Sequence, residues 1–276
     1  METPPLIDTH AHLDASDYDE DRTEVVRCAA AAGVNTVITL GIEPDGWLNT
    51  LSLAELHTGV YPALGIHPNS ADLLSDRVLA TLFDLCRQAR NHKPVVALGE
   101  TGLDYYWDRV APAVQKQAFV AHLELARELN LPVIVHNRDA HADVLSVLET
   151  EGKGTRGVMH SASGDLDFVR RCLALGYMIS VAGPVTFKKA ADKHGIARET
   201  PLDMLLLESD CPYLTPEPFR GKRNEPAHVG YTARAVANLR GMEFARVAEA
   251  TTQNALRLFN LPGTNSDLSL NPPGTQ

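Results

Sequence analysis

The residues best suited to chemistry lie near the amino terminus, in the segment Asp8-Thr-His10-Ala-His12. The apolar pair Leu6-Ile7 precedes them and predicts a short strand. Side chains alternate between faces along a strand, so residues 8, 10 and 12 should share one face. Two imidazoles beside a carboxylate suit a divalent cation, and the carboxylate would fix the tautomer of one imidazole. The alternative is an exposed strand end that merely carries histidines.

Further candidate ligands, namely Glu100, His136, His160 and Asp210, follow later apolar runs. One such histidine alone is more often a partly buried imidazole with satisfied hydrogen bonds. The recurrence of polar residues at equivalent positions argues against that interpretation for the whole set. Four imidazoles and two carboxylates exceed the needs of one tetrahedral zinc ion. They suffice for two divalent ions bridged by a carboxylate, so the sequence predicts a two-metal centre.

Eight apolar runs would position these ligands, each followed by a loop and, after all but the last, by helical periodicity. The runs are 6–7, 34–40, 60–66, 94–98, 131–135, 157–159, 177–181 and 204–207, and the helical stretches are about 19–32, 45–57, 76–91, 112–130, 139–150, 165–175 and 185–198. Continuous apolar runs are typical of parallel strands covered on both faces. The pattern predicts an α/β fold, a (β/α)8 TIM barrel whose loops after the strands build the active site. A doubly wound open sheet is the alternative, but it gathers these ligands around one point less readily.

The end of the chain predicts additions to this barrel. Two stretches, 228–240 and 243–259, have helical periodicity and should close the barrel as extra C-terminal helices. A length of 276 residues fits a single barrel domain, which we expect over residues 1–261. Residues 262–276 are dominated by Gly, Ser, Asn, Pro and Thr, so we predict a disordered tail there.

Composition narrows the classes of partner and compartment. The chain carries 25 basic and 35 acidic side chains, a formal charge of −10, which is unfavourable for tight non-specific binding of duplex DNA. No apolar stretch approaches the roughly 20 residues of a membrane span, and the amino terminus lacks the pattern of a signal peptide. The four cysteines are widely spaced, as expected for thiols in a reducing compartment. We therefore expect a cytoplasmic protein, with a monomer as the default.

Five further motifs occur in order at the ends of the predicted strands. They are Gly65-Ile-His67-Pro68, Gly99-Glu100-Thr-Gly-Leu-Asp104-Tyr105-Tyr106, Pro132-Val-Ile-Val-His136, Glu208-Ser-Asp210-Cys-Pro-Tyr213-Leu214 and Arg223-Asn-Glu-Pro226. With the first histidine segment, they make the chain resemble the TatD family of metal-dependent deoxyribonucleases, within the amidohydrolase-like barrels. The resemblance extends from Asp8 to about Leu261 and is carried by the combination of motifs, each of which is short.

The resemblance implies roles for the six candidate ligands. One metal would be held by His10, His12, Glu100 and Asp210, and a second by Glu100, His136 and His160. Glu100 would bridge the two ions, and Asp210 would orient or deprotonate the attacking water while remaining close to a metal. Magnesium or manganese is the expected ion by resemblance, whereas imidazoles would also accept zinc.

Two departures from the family pattern concern the substrate more than the metals. The family commonly has His-Cys-Phe-Ser-Gly after the sixth strand, whereas this chain has His160-Ser-Ala-Ser-Gly164. The family also often has a second histidine after the His-Pro of the third strand, where this chain has Asn69. Both changes leave the implied metal ligands intact, so they bear on substrate preference.

Substrate contacts are predicted from charge and position. Arg220, Lys222 and Arg223 form the densest basic cluster, just after the eighth run, where barrel enzymes often bind phosphate. An arginine would grip phosphate with two hydrogen bonds, although in isolation such a cluster is usually a solvated loop. His67 is a candidate donor to phosphate or substrate. Asp104 and Tyr105 are candidates for substrate binding or, equally, for structural roles.

The leading functional hypothesis is a two-metal nuclease that trims single-stranded DNA from an end. A barrel mouth that is one strand wide would admit a loose end more easily than a duplex. The first alternative is another ester hydrolysis at the same site, such as that of a D-aminoacyl-tRNA deacylase, which the resemblance also permits. The second is a barrel whose ions are structural or that only binds a partner. The complete ligand set and the plausible base argue against this last alternative.

Overall fold

The computed structural model describes residues 4–89 and 93–262 and contains a parallel β-barrel. The strands are β1 (Leu6–Ala11), β2 (Val34–Gly41), β3 (Val60–Leu64), β4 (Ala97–Asp104), β5 (Val133–Arg138), β6 (Gly157–Met159), β7 (Tyr177–Val181) and β8 (Leu205–Leu207). They form one sheet in the order β1 to β8, and every neighbouring pair is parallel. Backbone bonds just beyond β8 join it to β1, because Asp210 N donates to His10 O at 2.9 Å and His12 N donates to Cys211 O at 2.8 Å.

Helices alternate with these strands along the chain. They are α1 (Arg22–Ala31), α2 (Trp47–Leu56), α3 (Asp76–Gln88), α4 (Pro112–Leu129), α5 (His141–Thr150), α6 (Leu166–Ala174), α7 (Ala191–Glu199), α8 (Val229–Arg240) and α9 (Phe244–Phe259). Short 3₁₀ helices occupy Ser16–Tyr18, Pro44–Gly46, Pro68–Leu73, Gly183–Thr186, Leu202–Met204 and Pro226–His228. The predicted (β/α)8 TIM barrel with extra C-terminal helices is therefore confirmed.

Several predicted boundaries differ from those in the structure. Glu100 and His136 lie inside β4 and β5, whereas the sequence placed them at the ends of the fourth and fifth strands. The predicted helix over 185–198 is a 3₁₀ helix at Gly183–Thr186 followed by α7. Apart from residue 262, the predicted tail lies outside the described residues. None of the described helices combines the length and apolar character that a membrane crossing requires.

The ninth helix covers the end of the barrel opposite the ligand-bearing strand ends. Apolar side chains from all eight strands meet inside the barrel and pack with Leu258 and Phe259 of α9. The side chain of Thr252 donates to Pro5 O just before β1, and Asn254 donates to Leu205 O at the start of β8. Because α9 is bound to the amino ends of these strands, the carboxyl ends are left to form the mouth.

A register shift within β4 gives Glu100 its position. Between Leu98 and Thr101 this strand advances three residues while β5 advances two, so β4 contains one extra residue. Gly99 has φ of 143°, and a Cβ there would lie 2.6 Å from the carbonyl oxygen of Ile134. Only glycine fits this approach, and bulges of this kind redirect side chains next to active sites. A similar shift in β1 lies between Asp8 and Ala11, around His10.

Asp8 joins β1 to the segment after β8. Its carboxylate accepts bonds from Ser209 N at 2.9 Å, Ser209 Oγ at 2.6 Å and His10 N at 3.2 Å. Burial raises the pKa of Asp8 to about 8, against the bonds from Ser209, which lower it. The interpretation of Asp8 as the partner of an imidazole is therefore wrong, because its oxygens face Ser209 and backbone amides. It holds the seam from which the first histidines project.

This seam predicts the effect of removing the Ser209 hydroxyl. Ser209→Ala leaves one buried carboxylate oxygen of Asp8 without its donor and should lower the free energy of unfolding by about 1–3 kcal/mol. Urea denaturation measures this loss. Ser52→Ala is the matched control, because Ser52 is exposed and, among the described residues, its hydroxyl bonds only to Leu48 O in its own helix. Equal stabilities for the two variants would contradict the seam.

Candidate metal centre

Six side chains predicted from the sequence as metal ligands meet at the mouth of the barrel. His10 belongs to β1 and His12 follows it directly, Glu100 and His136 belong to β4 and β5, and His160 and Asp210 follow β6 and β8. All except His136 are buried. Their polar atoms form overlapping groups in which each set of three lies within 4.8 Å. The structure thus brings the whole set together, while the role of each residue as a ligand remains a prediction.

The first group surrounds one oxygen of Glu100. His10 Nε2 lies 3.2 Å from His12 Nε2, 3.4 Å from Glu100 Oε2 and 3.5 Å from Asp210 Oδ1. His12 Nε2 lies 3.8 Å from Glu100 Oε2 and 3.5 Å from Asp210 Oδ1. Two nitrogens and two carboxylate oxygens therefore converge on one small volume.

The second group surrounds the other oxygen of the same carboxylate. Glu100 Oε1 lies 2.5 Å from His136 Nδ1 and 2.8 Å from His160 Nε2. These two nitrogens are 3.3 Å apart. Glu100 consequently presents Oε2 to one group and Oε1 to the other, which is the arrangement of a carboxylate that bridges two cations.

The spacing of the first group and the donor chemistry of both groups fit divalent cations. Around an ion with bonds of about 2.1 Å, neighbouring ligand atoms lie about 3.0–3.5 Å apart. Most pairs in the first group are separated by 3.2–3.5 Å. Nitrogen with carboxylate oxygen is a donor set that zinc and manganese share, and two carboxylates supply the hard oxygens that magnesium prefers.

The electrostatics of the centre keep its carboxylates in the ligating state. Burial favours neutral Glu100, but the surrounding imidazoles, led by His160 and His10, lower the pKa of this carboxyl well below its ordinary value. Burial also opposes ionisation of Asp210, and the hydrogen bond from His12 together with nearby imidazoles lowers the pKa of that carboxyl. Both groups are therefore anionic at neutral pH, as metal binding requires.

Two carboxylates stand behind the imidazoles of the second group. Asp104 Oδ2 lies 3.0 Å from His136 Nε2, and Glu208 Oε1 lies 3.3 Å from His160 Nδ1. The first is a hydrogen bond that orients His136 so that its Nδ1 faces Glu100. The second is an ion-pair contact without hydrogen-bond geometry, and Glu208 Oε1 accepts a bond from Ser161 N at 2.6 Å. The structure thus places Asp104 against a predicted ligand. Sequence reasoning missed Glu208, although its position directly after β8 and two residues before Asp210 was a usable signal.

His67 lies beside this centre in a defined tautomer. Its Nδ1 accepts a bond from Asn69 N at 3.1 Å, so the proton is on Nε2, which lies 3.8 Å from Glu100 Oε1. Burial lowers the pKa of His67 to about 3, so the ring is neutral at physiological pH. It therefore presents an N–H donor towards the mouth.

Two of the predicted substrate contacts are already engaged with other residues. The Tyr105 hydroxyl donates to Asp143 Oδ2 at 2.7 Å, which ties the loop to α5, and we leave Tyr105 out of the proposed site. Arg223 makes two bonds to Asp21, at 2.8 and 2.7 Å, and a third to Glu225 at 3.0 Å. A guanidinium held in this way fastens its loop to the start of α1, and phosphate would have to compete with both carboxylates.

The rest of the basic loop remains open to a ligand. Arg220 and Lys222 are exposed, and the Arg220 guanidinium carbon lies 4.4 Å from the centre of the Phe187 ring. Arg220 also lines a groove together with Lys188 and Lys189. The groove thus joins Arg220 to two lysines that the sequence did not single out, with Glu217 also in its lining.

A (β/α)8 barrel whose mouth gathers histidines and carboxylates from β1, β4, β5, β6 and β8 defines a class of candidate metal-dependent enzymes. The model of the TatD-related DNase family matches residues 7–260. The chain belongs to this family, as the motifs indicated.

Relatives support this assignment along almost the whole chain. An uncharacterized metal-dependent hydrolase of Bacillus subtilis, YabD, is 42% identical over 257 residues, covering 93% of this chain and 99% of the relative. An uncharacterized metal-dependent hydrolase of Escherichia coli, YcfH, is 40% identical over 260 residues, covering 93% of this chain and 96% of the relative. The crystal structure of YjjV, a TatD homologue from Escherichia coli, superposes with a TM-score of 0.87 at 33% identity, covering 93% of this chain and 98% of that one.

The shared carboxylate predicts the result of a metal titration. Glu100→Gln keeps the size of the side chain but removes the anion that faces both groups, so metal bound per chain should fall from two to one or none. Isothermal titration with manganese, checked by elemental analysis, measures this. Glu149→Gln, which changes an exposed carboxylate paired with Arg171, should keep two. Two ions in Glu100→Gln would refute the bridge.

The carboxylate behind His136 makes a second prediction. In Asp104→Asn one amide end must face either His136 or the backbone N–H groups of residues 106 and 107, which now bond to Oδ1. The amide NH2 of the new asparagine then faces an N–H donor of His136 or of the backbone. The affinity for the second metal, or the hydrolytic activity, should therefore fall about 10–100-fold. Asp167→Asn is the control, because its carboxylate is exposed in the first turn of α6. An unchanged Asp104→Asn variant would reject this role.

Proposed function

We propose that this protein is a metal-dependent nuclease that hydrolyses phosphodiester bonds at the ends of single-stranded DNA. The observation that carries the proposal is the position of Glu100, whose two oxygens face two separate groups of imidazoles. The relatives named above are metal-dependent hydrolases, and the family is described as DNase-related. A paired centre of this kind suits displacement at phosphorus, where an attacking and a leaving oxygen both need stabilisation.

In this proposal, His10, His12, Glu100 and Asp210 hold one divalent ion, and Glu100, His136 and His160 hold the other. Magnesium or manganese is the working ion by family resemblance, with zinc as the alternative. When bound, the two cations would polarise the phosphoryl group as Lewis acids and lower the pKa of bound water towards neutral pH. The chain contributes placement, because Asp104 orients the ring of His136 and Glu208 lies beside that of His160.

Asp210 is the proposed general base. Its carboxylate is ionised and reaches the mouth with 9% of the residue exposed, so water that enters the site comes within its range. As the water oxygen attacks phosphorus, Asp210 takes its proton, and the bond from phosphorus to the leaving sugar oxygen breaks. That oxygen receives a proton from solvent at the open mouth.

His67 is the proposed contact to a non-reacting phosphate oxygen. Its neutral ring offers Nε2–H beside Glu100, so it donates a hydrogen bond without adding a titrating charge. Arg220, with Lys188 and Lys189 in the same groove, supplies positive charge for phosphates further along the strand. Although the chain has a net charge of −10, these basic side chains place positive charge near its mouth, as binding of a polyanion requires.

The substrate class is tested with metal-loaded protein and four labelled substrates: single-stranded DNA, duplex DNA, RNA and a D-aminoacyl ester. The proposal expects the highest initial rate on single-stranded DNA, with mononucleotides released from one end and the reaction stopped by a chelator. Preference for the aminoacyl ester would instead establish the deacylase alternative. No chelator-sensitive turnover of any substrate would refute an enzymatic role.

The role of Asp210 predicts a separation of binding from turnover. Asp210→Asn removes the proton acceptor, so kcat should fall about 10²–10⁴-fold. KM should change little, because the acceptor acts on water and not on the nucleic acid. Steady-state kinetics with manganese at saturation measures both. Asp203→Asn, on the 3₁₀ helix before β8, is the control and should retain wild-type rates. Unchanged kcat in Asp210→Asn would exclude it as the base.

A further inference from the structure

Two large aromatic side chains lie exposed on the loop after β4. Tyr106 is 54% and Trp107 is 45% exposed, and their ring centres lie 4.9 Å apart at an interplanar angle of 89°. Side chains of this size usually bury most of their surface in the core. The pair therefore keeps apolar area in water at the mouth of the barrel, where a ligand would cover it.

Two arginines complete this surface. The guanidinium carbon of Arg138, at the end of β5, lies 3.8 Å from the centre of the Tyr106 ring and 5.7 Å from that of Trp107. That of Arg109 lies 5.7 Å from Trp107. Within the described residues neither guanidinium has a carboxylate at ion-pair distance, in contrast to Arg223. The arginines thus stack on aromatic rings while their charge stays available to an anion.

The surface is attached to the candidate metal centre through one carboxylate. Asp104 Oδ1 accepts bonds from Tyr106 N at 3.0 Å and Trp107 N at 3.1 Å, while Oδ2 faces His136 Nε2 at 3.0 Å. The backbone of both aromatic residues is therefore held in place relative to a predicted metal ligand. Gln115 fixes the same turn by accepting from Asp104 N and donating to Asp104 O.

We propose that Tyr106, Trp107 and Arg138, flanked by Arg109, form a stacking platform for an unpaired nucleobase next to the scissile phosphate. Aromatic faces with arginines between them are the means by which proteins bind single-stranded nucleic acid without reading its sequence. In a duplex every base face except that of the terminal pair is covered by its neighbour, so such a platform favours unpaired strands. The inference deepens the proposed nuclease function, on which it rests, by assigning the site that selects single strands.

Stacking predicts that loss of the aromatic rings weakens binding through bases and leaves binding through phosphates unchanged. Loss of one stacked base costs about tenfold or more in affinity. Tyr106→Ala/Trp107→Ala should therefore raise KM for a thymidylate strand about tenfold or more and leave kcat within about twofold. An abasic strand of equal length keeps every phosphate, so its KM should be the same in wild type and variant.

Two comparisons separate stacking from a structural role. Tyr106→Phe/Trp107→Phe keeps two aromatic faces and should retain the preference for the thymidylate strand over the abasic strand. Tyr61→Leu removes an aromatic ring with a cation, Lys93, 4.6 Å from its centre near the start of β3. That variant lies at the other end of the barrel and should behave as wild type. If the alanine double variant loses bound metal, the proposal is decided by the KM of the phenylalanine double variant for the thymidylate strand.

A binding measurement tests the platform independently of turnover. The chain has two tryptophans, and Trp47 is only 1% exposed, so a ligand that stacks at the mouth should quench Trp107 alone. Metal-loaded protein is titrated with slowly hydrolysed phosphorothioate strands, either thymidylate or abasic. Saturable quenching by thymidylate alone, absent in Trp107→Leu, is expected.

Equal quenching by both strands, or an unchanged ratio of the two KM values in the alanine variant, would overturn the platform even if nuclease activity is present. Failure to hydrolyse any nucleic acid would refute the nuclease proposal, and the quenching experiment would still decide the platform.

Discussion

The buried carboxylate of Glu100, placed between two groups of imidazoles, is the interaction on which the rest of the structure depends. A buried anion is costly without positive charge or hydrogen bonds around it. Here nitrogens of His10, His136 and His160 all lie within 3.4 Å of its oxygens. The barrel makes this possible because parallel strands bring residues far apart in sequence to one mouth. Divalent cations between these groups would satisfy both sides of the contact.

Backbone geometry rather than side-chain chemistry sets the precision of this arrangement. The extra residue in β4 and the positive φ of Gly99 direct Glu100 towards the axis. The bonds from Asp8 to the segment after β8 align His10 with Asp210 across the last seam of the barrel. Asp104 then couples a ring of the second group to the exposed loop that follows. The candidate metal centre and the proposed stacking platform are therefore linked through the Asp104 carboxylate.

Local sequence patterns predicted the barrel and all six residues of the cluster because apolar runs and polar strand ends are local signals. They missed features that depend on contacts across the chain. The bonds from Asp8 to Ser209 join residues 201 positions apart, and the pair of Arg223 with Asp21 joins residues 202 positions apart. Of the two carboxylates that hold Arg223, Glu225 is close in sequence, but nothing local indicates the bonds to Asp21. Glu208 was also missed: its place directly after β8 is a local signal, but its contact with His160 is a long-range one.

Whether Glu100 bridges two cations is tested most directly by anomalous diffraction from crystals grown with manganese, since each ion appears as a separate peak. A bridging Glu100 should give two peaks about 3.5–4 Å apart, one beside each of its oxygens. One of them should contact His10 and His12, and the other His136 and His160. A single peak, or two peaks of which only one contacts Glu100, would contradict the bridge.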